Sequence, residues 1–161
     1  MKKLANYPSE LGYFQIGYGN EAITSINIVD EVIGLNDINE LTTTCFMQIT
    51  EYLEGKRTVF DFVYLLKGTD FQVKVWKEVA RIPYGETRSY KEIAITINQP
   101  TASRAVGMAV NKNPLLLVIP CHRVIGSNGS LVGYAAGLSR KEQLLALEER
   151  YKNKTEHLFD R

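Results

Sequence analysis

The chain changes character at Gly68. Upstream, residues 12–33 are rich in Gly, Tyr, Ile and Val. Phe14-Gln15-Ile16-Gly17-Tyr18 and Ile23-Thr24-Ser25-Ile26-Asn27-Ile28-Val29 alternate as strands do, with Gly19-Asn20 as the turn between them. Residues 40–54 have helical spacing, and Gly55 follows as a helix-closing glycine would. Residues 58–66 open apolar and β-branched before the break. Downstream, the signals are those of short capped helices. Strand-rich sequence followed by helix-rich sequence predicts an α/β N-terminal domain over 1–66, a mainly α C-terminal domain over 67–153, and a tail over 154–161.

The helical half can be read in some detail. Thr69-Asp70-Phe71-Gln72 is a capping box, with Thr69 as N-cap. Phe71, Val75, Trp76 and Val79 then share one helical face. Pro83 and Gly85 end that segment; Ser89 caps a helix over 90–97, which Asn98-Gln99-Pro100 terminates. A further helix is expected from about Thr101 to Val110. Helix, tight turn and helix is a helix-turn-helix pattern, whose second helix meets DNA through its first residues: here Thr101, Ala102, Ser103, Arg104 and Ala105. A plain αα-hairpin buried in a core has the same pattern. Leu115–Ile119 reads as a short buried strand or extended segment, and Ser139-Arg140-Lys141-Glu142 as a second capping box opening the last helix.

Charge is compatible with a polyanionic partner and equally with a solvated basic surface. The net charge is only +1, but residues 1–66 carry four bases and nine acids, whereas residues 87–141 carry seven bases and the single acid Glu92. A basic stretch of this kind suits nucleic acid, although a solvated basic surface has the same composition.

The N-terminus has no apolar run behind its lysines, and the longest apolar run, Leu115 to Pro120, is too short to span a bilayer. A soluble, intracellular, cytoplasmic protein is expected, without membrane contact. Cys45 and Cys121 then read as free thiols, with Cys45 a small buried hydrophobe. His122 and His157 lie far apart, and no C-x-x-C, H-x-x-x-H or H-E-x-x-H spacing exists, so neither metal nor cofactor is expected.

Cys121 is the candidate for chemistry. A thiol near pKa 8.5 needs activation, and His122 stands beside it. Neighbours in an extended chain point opposite ways, so a relay through water is one route, with Glu148 orienting the histidine. Spacing alone leaves another reading standing, a buried thiol beside a hydrogen-bonded structural histidine.

Ile119-Pro120-Cys121-His122-Arg123-Val124 resembles the Pro-Cys-His-Arg-Val signature of the O6-alkylguanine-DNA alkyltransferases. Thr69-x-Phe71-Gln72-x-x-Val75-Trp76 and Ile82-Pro83-x-Gly85-x-Thr87-x-Ser89-Tyr90 are similar to that family too. So are Arg104-Ala105-Val106-Gly107-x-Ala109, Asn113-Pro114, Gly133-Tyr134-x-x-Gly137-Leu138 and Lys141, in the family's order over residues 69–148. Upstream, residues 51–57 with Phe60-Asp61 match loosely.

The resemblance implies an RNase H-like N-terminal domain and a winged-helix-like C-terminal domain with a helix-turn-helix. The implied activity is a single, irreversible transfer of an alkyl group from O6-alkylguanine to Cys121, with O4-alkylthymine a second candidate substrate. The implied partner is double-stranded DNA containing O6-alkylguanine, bound by a monomer in the minor groove with the damaged base flipped out. By the same resemblance Cys121 is the acceptor, His122 its water-linked base and Glu148 the carboxylate behind it. Tyr90 meets guanine N3, and Asn113 ties the turn to the active-site loop. Arg104 is the finger that fills the vacated stack, and Arg123 joins Thr101, Ala102, Ser103 and Ala105 as a DNA contact. Tyr134, Ala135, Val124 and Leu116 form the base pocket.

Val132 and Ala136 stand where relatives often have Gly, and their bulk would narrow the range of alkyl groups accepted. Alternatives are a non-catalytic DNA-binding protein, either a sensor of alkylated DNA, in which the reactive Cys is replaced, or a regulator, and a Cys-dependent hydrolase or redox enzyme, which would need a second thiol in C-x-x-C spacing or a distant His and Asn or Asp on the sulfur.

Overall fold

The computed structural model describes residues 3–32, 34 and 36–159, with side chains through residue 152. The chain divides into two compact units. One is Met1–Lys67 with Pro114–Val118, the other Gly68–Asn113 with Ile119–Arg161.

In the first unit, β1 (Lys3–Ser9), β2 (Gly12–Gly19) and β3 (Ala22–Val29) form an antiparallel sheet in that order. The strands bury Phe14, Ile16, Ile23, Ile26 and Ile28, and the alternation of β3 changes parity between Ile23 and Ile26, beside the register shift at Gly17/Tyr18. The β2–β3 turn falls one residue later than the sequence suggests. Gly19 still pairs with Ala22, and Asn20 and Glu21 take φ of 41° and 70°, the left-handed pair that a two-residue hairpin needs.

Helix α1 (Glu40–Leu53) packs on the sheet through Cys45, Ile49 and Tyr52. It begins at a capping box between Asn39 and Thr42, worth about 1 kcal/mol, and ends at Gly55 with φ 76°. Cys45 is a core hydrophobe, its thiol pushed up to about 12 by burial.

Two extended segments pair with β3. Ile23 bonds Val63 and Leu65, and Ile26 bonds Pro114 O and the Leu116 N–H. The backbone groups of a strand edge need such partners, which is why Pro114–Val118 belongs to the first unit although its sequence neighbours belong to the second.

The second unit is mainly helical: α2 (Asp70–Val79), α3 (Tyr90–Thr96), α4 (Ser103–Asn111) and α5 (Leu138–Phe159), with a two-stranded parallel ribbon of β4 (Arg88–Ser89) and β5 (Val124–Ile125). Capping boxes at Thr69/Gln72 and Ser89/Glu92 start α2 and α3. Val75, Trp76 and Val79 are buried, and the Trp76 indole N–H donates to Ala109 O at 2.8 Å, fastening α2 to α4. α3 closes at Asn98, φ 61°, and the turn through residue 102 leads into α4, completing the helix-turn-helix.

Three expectations are corrected. α4 begins at Ser103 rather than Thr101, behind Ala102, which offers no side-chain cap. α5 already begins at Leu138, so Ser139 lies inside its first turn and its Oγ accepts from Gln143 Nε2 instead of capping. The stretch 154–159 is not a separate tail, because the helix continues to Phe159; the side chain of His157 lies outside the described residues. No helix among those residues is long and apolar enough to cross a membrane.

Candidate active site

Cys121 is presented by a change of backbone geometry. Pro120, at φ −78° and ψ 65°, makes a tight three-residue turn in which the Cys121 N–H donates to Ile119 O at 2.7 Å. Cys121–Arg123 then forms one 3-10 turn, closed by the Arg123 N–H on Pro120 O. An extended stretch, as the sequence predicts here, would point successive side chains to opposite sides. A 3-10 turn instead sends three successive side chains in three directions about its axis, and all three are buried.

Asn113 holds the turn from behind. Its Nδ2 donates to Ile119 O at 2.8 Å, and its side chain also hydrogen-bonds the cysteine sulfur. Burial pushes the Cys121 thiol up to about 12, against the pull of that bond and of the Lys141 charge. In the resting protein the sulfur is therefore protonated.

Glu148 gathers the other two side chains. Its Oε2 lies 2.6 Å from His122 Nε2 and 2.9 Å from Arg123 Nη2, while Oε1 accepts from Arg123 Nε at 2.8 Å and from the Gly85 N–H at 2.9 Å. Gly85 reaches it at φ 78°, a conformation that favours glycine.

Burial alone would raise the Glu148 pKa, but the bonds and charges of His122 and Arg123 outweigh it and hold the carboxyl well below the usual range. Burial lowers the His122 pKa despite the carboxylate, so the ring is neutral near pH 7. With Nε2–H donating to Glu148, Nδ1 is the basic nitrogen.

Further along, Val124 pairs with Arg88 in the ribbon. Tyr134 is buried, its ring edge-on to His122 with centroids 6.5 Å apart, and its hydroxyl has no hydrogen-bond partner among the described residues. Ala135 is exposed beside it. The Tyr90 hydroxyl, from the start of α3, donates to Val132 O at 2.7 Å.

At the helix-turn-helix, Arg104 and Ala105 are exposed, Thr101 is exposed ahead of them, and Ala102 and Ser103 are half-buried. Lys91 and Lys112 add exposed charge to this unit.

One candidate assignment does not stand as written. Arg123 cannot serve as a DNA contact, because it is buried and spends its guanidinium on Glu148 and, through Nη1, on Ile82 O at 2.8 Å. Leu116 is buried, with its N–H bonded to Ile26 O of β3.

Lys141, for which the sequence predicts no role, is fully buried, with Nζ on three carbonyls. The signal was available: Lys141, Leu144 and Glu148, spaced by three and four residues, share one face of α5.

A helix-turn-helix with a buried cysteine and a His–Glu pair in the same compact unit is the build of a DNA-binding protein with a nucleophilic thiol. Residues 70–150 match the family described as 6-O-methylguanine DNA methyltransferase, DNA binding domain, and residues 3–65 match its ribonuclease-like domain. The chain belongs to the 6-O-methylguanine DNA methyltransferase family.

It is 41% identical over 157 residues, 94% of its length and 95% of the relative's, to the methylated-DNA–protein-cysteine methyltransferase of Mycolicibacterium paratuberculosis. It is 59% identical over 102 residues to the protein of that name from Methanosarcina barkeri, a match spanning 63% of this chain and 65% of the relative. The O6-methylguanine methyltransferase of Mycobacterium tuberculosis superposes with a TM-score of 0.85 at 38% identity, covering 94% of both chains. A structure of that species' protein in complex with DNA gives the same TM-score over 92% of this chain and 94% of the other.

Proposed function

We propose that this protein repairs alkylated DNA directly, by moving the alkyl group of O6-alkylguanine onto the sulfur of Cys121. The observation that carries the reading is the Cys121–His122–Glu148 set, buried in the unit that bears the helix-turn-helix.

The chemistry follows from the geometry. A stacked base cannot reach a buried thiol, so the damaged nucleotide must leave the duplex, at a cost of a few kcal/mol. Arg104, exposed near the start of α4, occupies the vacated stack, with Thr101, Ala102, Ser103 and Ala105 against the sugar-phosphate backbone. Tyr134, Ala135 and Val124 receive the base.

His122 Nδ1 takes the thiol proton through a bridging water, and Glu148 stabilises the resulting imidazolium. The thiolate attacks the alkyl carbon, the carbon–oxygen bond breaks, and its electron pair leaves with guanine O6. Tyr90 donates a proton to guanine N3, stabilising the charge that develops on the departing base, and the proton taken up by His122 returns through water to restore the phenol. The products are a thioether and an intact guanine. No base in the site can expel an alkyl group from sulfur, so each molecule acts once. It acts as a monomer, inside the cell, where DNA is.

The test is Cys121→Ala, incubated with a duplex whose single O6-methylguanine carries a radiolabelled methyl group. Binding to the lesion is retained and no label reaches the protein. Label transfer by the variant would remove Cys121 as the acceptor. Loss of both binding and transfer in a folded variant would show that the residue's role is not purely chemical.

A further inference from the structure

Resting on the reading above, we propose that Lys141 is a positioning residue for the transfer: its ammonium pins both ends of the loop between Val124 and Val132 and so sets the pocket wall against Cys121. Nζ donates to Val124 O at 2.6 Å, Val132 O at 3.1 Å and Gly133 O at 3.0 Å. One acceptor lies where the chain leaves the cysteine turn, and two lie where it returns, just before Tyr134 and Ala135. Bonds from Gly126 N–H to Ser130 O and from Gly129 N–H to Gly126 O fold the loop's tip, and the ammonium closes its base.

Three converging carbonyls match the three N–H groups of an ammonium. A neutral amine would turn a lone pair towards one of them, and a guanidinium spreads its donors over a plane instead of focusing them on one point. The lysine is also fully buried, where an uncompensated charge would be costly.

The clamp bears directly on Tyr90. In the resting protein the Tyr90 hydroxyl donates to Val132 O, one of the carbonyls that Lys141 holds. To serve guanine N3 the hydroxyl must let that carbonyl go. Lys141 then keeps Val132 O bonded, so releasing Tyr90 does not orphan a carbonyl.

The ionisable groups around the ammonium are Tyr90 on α3, its ring centroid 5.9 Å away, and Cys121 and His122 in the 3-10 turn. Burial brings Lys141 down to about 8, with Cys121 pulling the other way. Cys121 and Tyr90 are shifted upward and His122 downward. The loss of the Lys141 proton is thus the event near this site as pH rises from neutral through about 8.

The experiment measures the transfer rate constant from a saturating O6-methylguanine duplex for wild type, Lys141→Met and Lys141→Arg. The Met variant is slowed about 100-fold, the size of effect a misplaced reacting group produces, with duplex affinity unchanged, and Arg does not restore the rate. A folded Met variant within about threefold of wild type, or full recovery by Arg, overturns the proposal.

The pH profile gives a second readout: the fall in wild-type rate as pH passes about 8 is absent from Lys141→Met, and a fall of equal size in the Met variant overturns the clamp. Wild-type transfer near pH 7 checks the underlying reading separately, and its absence would remove that reading and this proposal with it.

Discussion

Replacing Arg123 by Met separates a buried ion pair from a DNA contact. Arg123 makes three charge-assisted bonds, at 2.8 and 2.9 Å to the two Glu148 oxygens and at 2.8 Å to Ile82 O. At about 1.5–3 kcal/mol apiece their sum overstates the effect, because the surroundings relax. Removing one partner of a buried pair costs roughly 3–5 kcal/mol, since the other charge stays behind. For a chain of 161 residues, each kcal/mol moves the melting temperature by about 2–4 °C, so a fall of roughly 6–20 °C is expected. Circular dichroism melting measures it, and fluorescence anisotropy at several salt concentrations gives the DNA affinity. The slope of log affinity against log salt should not change. A fall below about 2 °C together with a slope reduced by about one would return Arg123 to the DNA-binding face and refute the buried-pair argument.

Other expectations can be checked with similar means. The Glu148 pKa is lowered in the folded protein, so its stabilisation is complete above the unfolded carboxyl value of about 4.3 and is lost as pH falls through the folded value; the gap in urea midpoint between wild type and Glu148→Gln narrows only in that acid range. Arg104→Ala slows repair in duplex DNA while leaving reaction with the free alkylated base intact, and equal slowing of both would sink the finger assignment. Gly85→Ala places a side chain at φ 78° and 2.9 Å from the flexible Lys152 side chain; the strain is mostly in the backbone, about 1–2 kcal/mol, read as a lower urea midpoint. Trp76→Phe removes the indole donor from Ala109 O, which still accepts from the Lys112 N–H, so a loss of roughly 0.5–1.5 kcal/mol is expected in the same titration.

Much of this was legible in the sequence where the physics is local. Thr69/Gln72 and Ser89/Glu92 announce their helices because a capping box is written in four residues. The alternation in β2 and β3 and the helix over 40–54 were equally plain. What failed depends on the tertiary fold. Pro114–Val118 could join the first unit only because β3 has a free edge there. Arg123 looks like any exposed base in a basic stretch until Glu148, 25 residues on, comes to meet it. The geometry of the cysteine turn was missed because the ψ of Pro120 turns the chain where an extended run was expected. Lys141 was visible as a lone cation on the buried face of α5, but its three acceptors are backbone atoms, which carry no sequence signal.

The central claim concerns one sulfur atom. Protein mixed with excess duplex containing a single O6-methylguanine, then digested and examined by mass spectrometry, tests it directly. The account predicts one methyl group on the peptide that contains Cys121, reaching one per molecule and stopping there. An unmodified Cys121 in folded protein that still binds the lesion would contradict it and make the protein a sensor of damage rather than an agent of repair.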